Sequence, residues 1–274
     1  MSAEVDLGYE KRHDPRSIEE LVRLALTEQD EDAAWEYVAV LHYKGNREVL
    51  EAAARLCSSS QPRERQLGAD VLGQLGVPER TFPAECFDLL AAMLQKESDP
   101  MVFESIGVAF SHFRDPRSIP LLLPLRSHSD SAVRFGVVLG LTGHDQPDAI
   151  AGLVELSRDS DADVRDWATF ALGTLIDADT PEIRDALVAR TSDGDDDTRG
   201  EALVGLARRK DARVIEPLAR ELSNKDVGRL SVEAAEAVGD QRLHPLLVRL
   251  RDRWAADSPD AHLLEDALAS CAPR

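Results

Sequence analysis

The stretch HSDSAVRFGVVLGL (His128–Leu141) is followed, thirty-one residues further along the chain, by DSDADVRDWATFALGTL (Asp159–Leu175). Each is an acidic turn, a Val-Arg pair and a run of small and apolar residues. In the second, Val164, Trp167, Ala168, Ala171, Leu172 and Leu175 recur at i, i+3, i+4, i+7, i+8 and i+11, the period of a helix with one buried stripe and not of a strand. Aligning every such helix on its first core residue gives Ala34, Glu64, Val102, Val133, Val164, Thr198 and Leu230, at spacings of 30, 38, 31, 31, 34 and 32. Periods of that size predict a repeat array.

A second helix precedes each of these and opens on a proline, whose missing N–H costs nothing there, as in DPRSIPLLLPLRSH, QPDAIAGLVELSRD and TPEIRDALVART. Each unit is therefore a helical hairpin. The turns inside the hairpins carry acids (SDS, DSDADV, DGDDDT, NKDVG), which can cap the next helix and complement its dipole. One hairpin cannot bury its own apolar faces, so neighbours must stack into a continuous core. Residues 1–13 are expected to be a flexible N-terminal segment and 14–274 a single solenoid, whose last unit, 240–274, departs from the repeated phrase and reads as a C-terminal cap.

Aromatics make up only 5% of the chain, so the core must come from Leu, Val and Ala, which suits packed helices. A formal net charge of −19 disfavours general binding to nucleic acid. Cys57, Cys86 and Cys271 show no CxxC spacing, and neither a signal peptide nor a membrane-spanning run is apparent, so a cytoplasmic monomer with reduced thiols is expected.

The segments DPRSIPLLLPLRSHSDSAVRFGVVLGLTG and DADVRDWATFALGTL resemble HEAT repeats, and in particular the short bacterial class shared with phycobilisome chromophore lyases. The resemblance is strongest over 114–240. It implies an all-α fold, a right-handed α-solenoid of about seven to eight HEAT-like helical hairpins. It does not imply one activity, because this repeat class hosts scaffolds, lyases, hydroxylases and DNA glycosylases.

Candidate chemistry has structural readings beside it. The His-Glu dipeptides that hold iron in the related deoxyhypusine hydroxylase are missing: none of His13, His42, His112, His128, His144, His244 and His262 precedes a Glu. The Asp159/Asp161/Asp163 and Asp193/Asp195/Asp197 triplets lack the glycine and glutamate of a calcium loop and read as caps. Arg134 and Arg165 read as an Asp–Arg ladder between repeats. Arg208, Arg209, Lys210 and Arg213, with Arg242, Arg249, Arg251 and Arg253, read as helix-end cations or as a face for an acidic partner. No metal, cofactor or catalytic residue is expected.

The resemblance also implies that offsets +2, +3, +6 and +10 of each second helix face the concave surface. At offset +6 stand Val40, Asp70, Val108, Leu139, Phe170, Val204 and Glu236, apolar in four consecutive repeats where a charge is the rule. Phe135 and Trp167 add to this strip, and Glu36, Tyr37, Gln66, Glu104, Asp166, Glu201, Glu233 and Asp240 edge it. An apolar strip with a charged rim reads as a binding groove, unless Trp167 and Phe170 lean into the packing between repeats. The expected function is a non-catalytic scaffold or adaptor for a protein or peptide, with basic partners favoured and Val108, Phe135, Leu139, Asp166, Trp167, Phe170 and Val204 in contact. The alternatives are a chromophore-lyase-type enzyme or chaperone holding a pigment, in which Asp166 would meet its pyrrole nitrogens, and a nucleic-acid repair protein.

Overall fold

The computed structural model describes residues 8–253 and 261–273. Every regular element among them is helical. Helix packing divides the chain into two compact units, Met1–Leu141 and Thr142–Arg274.

The first unit begins with a short helix α1 (residues 8–12). Four hairpins follow: α2 (Ile18–Thr27) and α3 (Glu31–Lys44), α4 (Arg47–Cys57) and α5 (Pro62–Gly73), α6 (Pro83–Leu94) and α7 (Pro100–Phe113), α8 (Ile119–Leu122) and α9 (Ser131–Leu141). Of the segment read as flexible, 1–7 lie outside the described residues and 8–12 are helical. Lys11 Nζ donates to Glu36 at 2.7 Å and Arg12 Nε to the Tyr43 carbonyl at 3.3 Å, ties to α3 that no local sequence pattern announces.

The second unit holds α10 (Pro147–Leu156) and α11 (Ala162–Phe170), α12 (Pro181–Arg190) and α13 (Asp196–Arg208), α14 (Ile215–Ser223) and α15 (Arg229–Val238), α16 (His244–Arg251) and α17 (Ala261–Ser270). In the segment read as a cap, α17 packs on α15 and buries Leu264, Ala267 and Leu268, while 254–260 and 274 lie outside the described residues. Within each unit the second helices of the hairpins stack on one another, α3, α5, α7 and α9 in the first and α11, α13, α15 and α17 in the second.

Local chemistry sets the helix starts. Ser17, Asp30, Asn46, Asp99, Asp161 and Asp195 each accept a first-turn backbone N–H with the side chain, and Pro62, Pro83, Pro147 and Pro181 stand where no N–H is needed. The two aspartate triplets are held in the same way: Asp159 accepts from the Asp161 N–H and Asp193 from the Asp195 N–H, while Asp161 and Asp195 cap α11 and α13.

The arginine of the repeated Val-Arg position grips two turns at once. Arg165 Nη1 donates to the Asp159 carbonyl at 2.9 Å, and its Nε and Nη2 reach Asp193 in the next hairpin at 3.0 Å each. Arg65 does the same with the Ser59 carbonyl and the two oxygens of Glu97, whose side chain is 1% exposed. Arg199 repeats it with the Asp193 carbonyl and Glu221.

Between these grips the second helices meet backbone to backbone. The position of a Cβ on Gly107 of α7 falls on the carbonyl of Gly136 in α9, and a Cβ on Gly205 of α13 would stand 2.6 Å from the Gly173 Cα. Gly107→Ala and Gly205→Ala must therefore push adjacent hairpins apart, and each should lower stability by about 1–3 kcal/mol in urea unfolding. Arg65→Ala strands the Glu97 carboxylate and should cost about 2–3 kcal/mol, with partial recovery in Arg65→Ala/Glu97→Gln.

Candidate functional site

In the first unit the candidate residues come from two adjacent second helices: Val108 from α7, Phe135 and Leu139 from α9. All three are half-buried, each next to a glycine at which the helices close, Gly107, Gly136 and Gly140. Acids share this stack. Burial pushes the Asp70 carboxyl up to about 6 against a hydrogen bond from Ser105, and the Glu104 charge raises it further. Burial also raises Glu104. His42 is buried, with Nε2 2.9 Å from the Asp70 carbonyl, and desolvation drops its pKa to about 4.

The second unit gathers more. Trp167 of α11 is 39% exposed and meets Phe170 edge to face, ring centroids 5.7 Å apart at 90°. Phe170 is half-buried. Asp166, beside them, is pushed up to about 6 by burial and then by the charges of Asp195, Asp197 and Asp163. One of its carboxylate oxygens, Oδ1, is buried with no hydrogen-bond partner. Glu201 of α13 is pushed up to about 7 by burial and by the charges of Asp166 and Glu233. Glu233 of α15 accepts from Arg229 Nε at 2.6 Å. Three neighbouring helices thus bring carboxylates together, two of them with raised proton affinity, beside an exposed Trp167 and a half-buried Phe170.

Val204 and Leu175 depart from the sequence reading, and Val40, at the same offset as Val204, is likewise buried. Val204 is 3% exposed and belongs to the core. It stands between Gly200 and Gly205, where α13 closes on Leu230 of α15 and Gly173, and that proximity covers it. Leu175, expected in the buried stripe, is 39% exposed, while Ile176 after it is 3% exposed. The cause is a π-turn, Ala171–Leu175, in which Ile176 N–H donates to the Ala171 carbonyl, five residues back, and shifts the register by one.

The basic residues near the C-terminus are largely engaged. Arg209 and Lys210 sit on backbone carbonyls. Arg213 pairs with Asp211 and Asp185, Arg242 with Asp240, and Arg253 donates to the Asn224 carbonyl. Among the described residues no three His, Cys, Asp or Glu side chains gather as a metal site. The cysteines are free, and burial pushes Cys57 up to about 12 and Cys86 to about 11, far from a reactive thiolate. No helix among the described residues is long and apolar enough to cross a membrane.

Comparison with known proteins bears on the fold. A family model described as HEAT repeats matches residues 87–173. The protein YibA of Escherichia coli (strain K12) is 28% identical over 214 residues, 76% of this chain and 76% of YibA. The X-ray structure of E. coli YibA superposes with a TM-score of 0.73 at 24% identity, over 100% of this chain and 98% of that one. A crystal structure of importin beta gives 0.54 at 11% identity, over 97% of this chain and 42% of importin beta. The family match over 87–173 and the likeness to YibA agree with the stacked helical hairpins of both units, an all-helical fold of HEAT-repeat type.

Proposed function

We propose that the chain is a non-catalytic interaction scaffold that holds a basic segment of a partner protein against α11, α13 and α15 of its second unit. Trp167 and Phe170 supply the apolar anchor, and Asp166, Glu201 and Glu233 the charge. Val108, Phe135 and Leu139, with Glu104 beside them, carry the same reading for the first unit taken by itself. The free, buried cysteines suit a reducing, cytoplasmic setting.

One observation carries this reading: half-buried carboxylates crowd together next to an exposed Trp167 and its partner ring Phe170. Within the protein this arrangement is unfavourable, since each ionised acid destabilises the next and the indole gives up apolar burial. An ammonium or guanidinium lying over the rings and among the acids reverses both costs. A central aromatic anchor inside a polar rim is also the usual anatomy of a protein-binding hot spot.

Trp167→Ala removes a part-exposed side chain, so the unfolding midpoint should change little while affinity for a basic peptide falls by about 2 kcal/mol, measured by fluorescence anisotropy. Unchanged affinity would refute the assignment.

The acids make a separate prediction. The folded Glu201 carboxyl binds its proton up to about 7, against 4.5 for the free side chain. Across that window the native state holds more proton than the unfolded one, so stability must fall as pH rises, and the full penalty is present above it. Glu201→Gln should therefore raise stability at pH 8 by about 1–2 kcal/mol after discounting for partial exposure, and change it little at pH 4. Equal urea midpoints for variant and wild type at pH 8 would contradict this.

A further inference from the structure

The end of α11 is held in an unusual way. After the π-turn the carbonyls of Leu172 and Gly173 have no N–H from their own helix in α-helical register, and a side chain from the next hairpin takes them. Arg209, just past the end of α13, has its side chain 8% exposed. Its Nη1 donates to the carbonyls of Gly173 at 2.8 Å and Gly205 at 3.1 Å, and its Nη2 to those of Leu172 at 2.8 Å, Ile176 at 3.1 Å and Ala178 at 3.2 Å. Five carbonyl dipoles thus surround one guanidinium. The nearest carboxylate, Asp179, stands 3.7 Å from Nε and is itself gripped by Arg184 at 2.7 Å. Burial pulls the Arg209 pKa down, so this charge is held at a cost that carbonyl dipoles offset.

A plain α-helical ending would need one residue fewer. The bond from Ile176 N–H to the Ala171 carbonyl is 3.0 Å and spans five residues. With Leu175 absent the same bond would span four, the α-helical step, and Ile176 would keep its buried place. The extra residue therefore contributes no core. What it does is carry a leucine into solvent: Trp167 and Leu175 are the large apolar side chains of the second unit that stand exposed, among the described residues, and both leave the same continuous segment, 162–175. Gly173, inside the π-turn, is also where this segment meets α13, a Cβ there falling 3.2 Å from the Glu201 carbonyl and from Gly205 Cα.

We propose that Arg209 is a positioning residue for the interaction surface of the second unit. By holding the π-turn it keeps Leu175 outside the core as an apolar contact for the bound segment, and it fixes where α11, with Asp166, Trp167 and Phe170, lies against Glu201 of α13. This inference rests on the reading of that face as a site for basic segments, and it adds that the segment presents apolar residues among its cations.

Deletion of Leu175 is the decisive variant, because it shortens the π-turn without removing any acid or either aromatic ring from the chain. A fluorescent peptide of alternating arginine and leucine serves as the probe. The deleted protein should keep its far-ultraviolet helix signal and its thermal midpoint, and bind the peptide about tenfold more weakly than wild type. Arg209→Met should weaken binding in the wild-type chain and not further in the Leu175-deleted chain, since both changes act through one turn.

Equal binding by the deleted and wild-type proteins overturns the proposal, as does an Arg209→Met effect of the same size in both backgrounds. A deleted protein that melts far below wild type shows that the extra residue serves the fold, which also overturns it. Wild type that ignores the arginine-leucine peptide but binds an all-arginine one removes the apolar contact alone. Wild type that binds neither peptide removes the underlying reading as well.

Discussion

The structure depends on how closely the second helices of successive hairpins approach. Glycine permits that approach at Gly107 and Gly136 in the first unit and at Gly173 and Gly205 in the second, where backbones occupy the space a Cβ would need. Close contact of this kind aligns residues at equivalent offsets on neighbouring helices, so one face becomes a repeated surface instead of a set of isolated side chains. It also explains why the core is mostly Leu, Val, Ile and Ala, since the helices come near enough for small side chains to fill the gap; the exception to the aliphatic core expected from composition is the cluster of Phe87, Phe103 and Phe110 at α6 and α7.

The charge of the chain follows the same logic. Many of its acids are engaged in holding turns, as caps at Asp161 and Asp195 or as partners of the Val-Arg arginines at Glu97 and Asp193. A smaller group, Asp70, Glu104, Asp166 and Glu201, stands on the second helices, half-buried by their stacking. Asp166 is raised by burial and by the charges of Asp195, Asp197 and Asp163, and Glu201 by burial and by the charges of Asp166 and Glu233; in the first unit Asp70 is raised by burial and by the Glu104 charge, and Glu104 by burial. The packing that makes the fold thus also makes a surface whose electrostatics favour a cation.

Helical hairpins and their starts could be read from the sequence because they are set by local chemistry: an acid or Ser before the helix, a proline in its first turn, and a 3.6-residue apolar period. All seven second helices aligned on their first core residue are present. What could not be read depends on contacts between elements. Val204 is covered because α13 closes on both neighbours at the glycines flanking it. Leu175 is exposed because Arg209, thirty-four residues away in sequence, stabilises a π-turn that shifts the register by one. Residues 8–12 are helical because Lys11 and Arg12 find partners on α3. Of the candidate surface, Trp167 and Phe170 were identifiable as apolar residues at the repeat's usual charged or small positions, and Asp166 as part of the rim beside them. The protonation of Glu201 was not, because it arises from three helices together.

The central claim is that a cation relieves the crowded carboxylates of α11, α13 and α15. Calorimetric titration of a lysine- and arginine-rich peptide at pH 6.5, in buffers of different ionisation enthalpy, measures the protons exchanged on binding. A cation seated beside these carboxylates must lower the raised pKa values of Asp166 and Glu201, so the account predicts net proton release that disappears in Glu201→Gln/Asp166→Asn. Binding with no proton exchange, or with release that survives in the double variant, would contradict it.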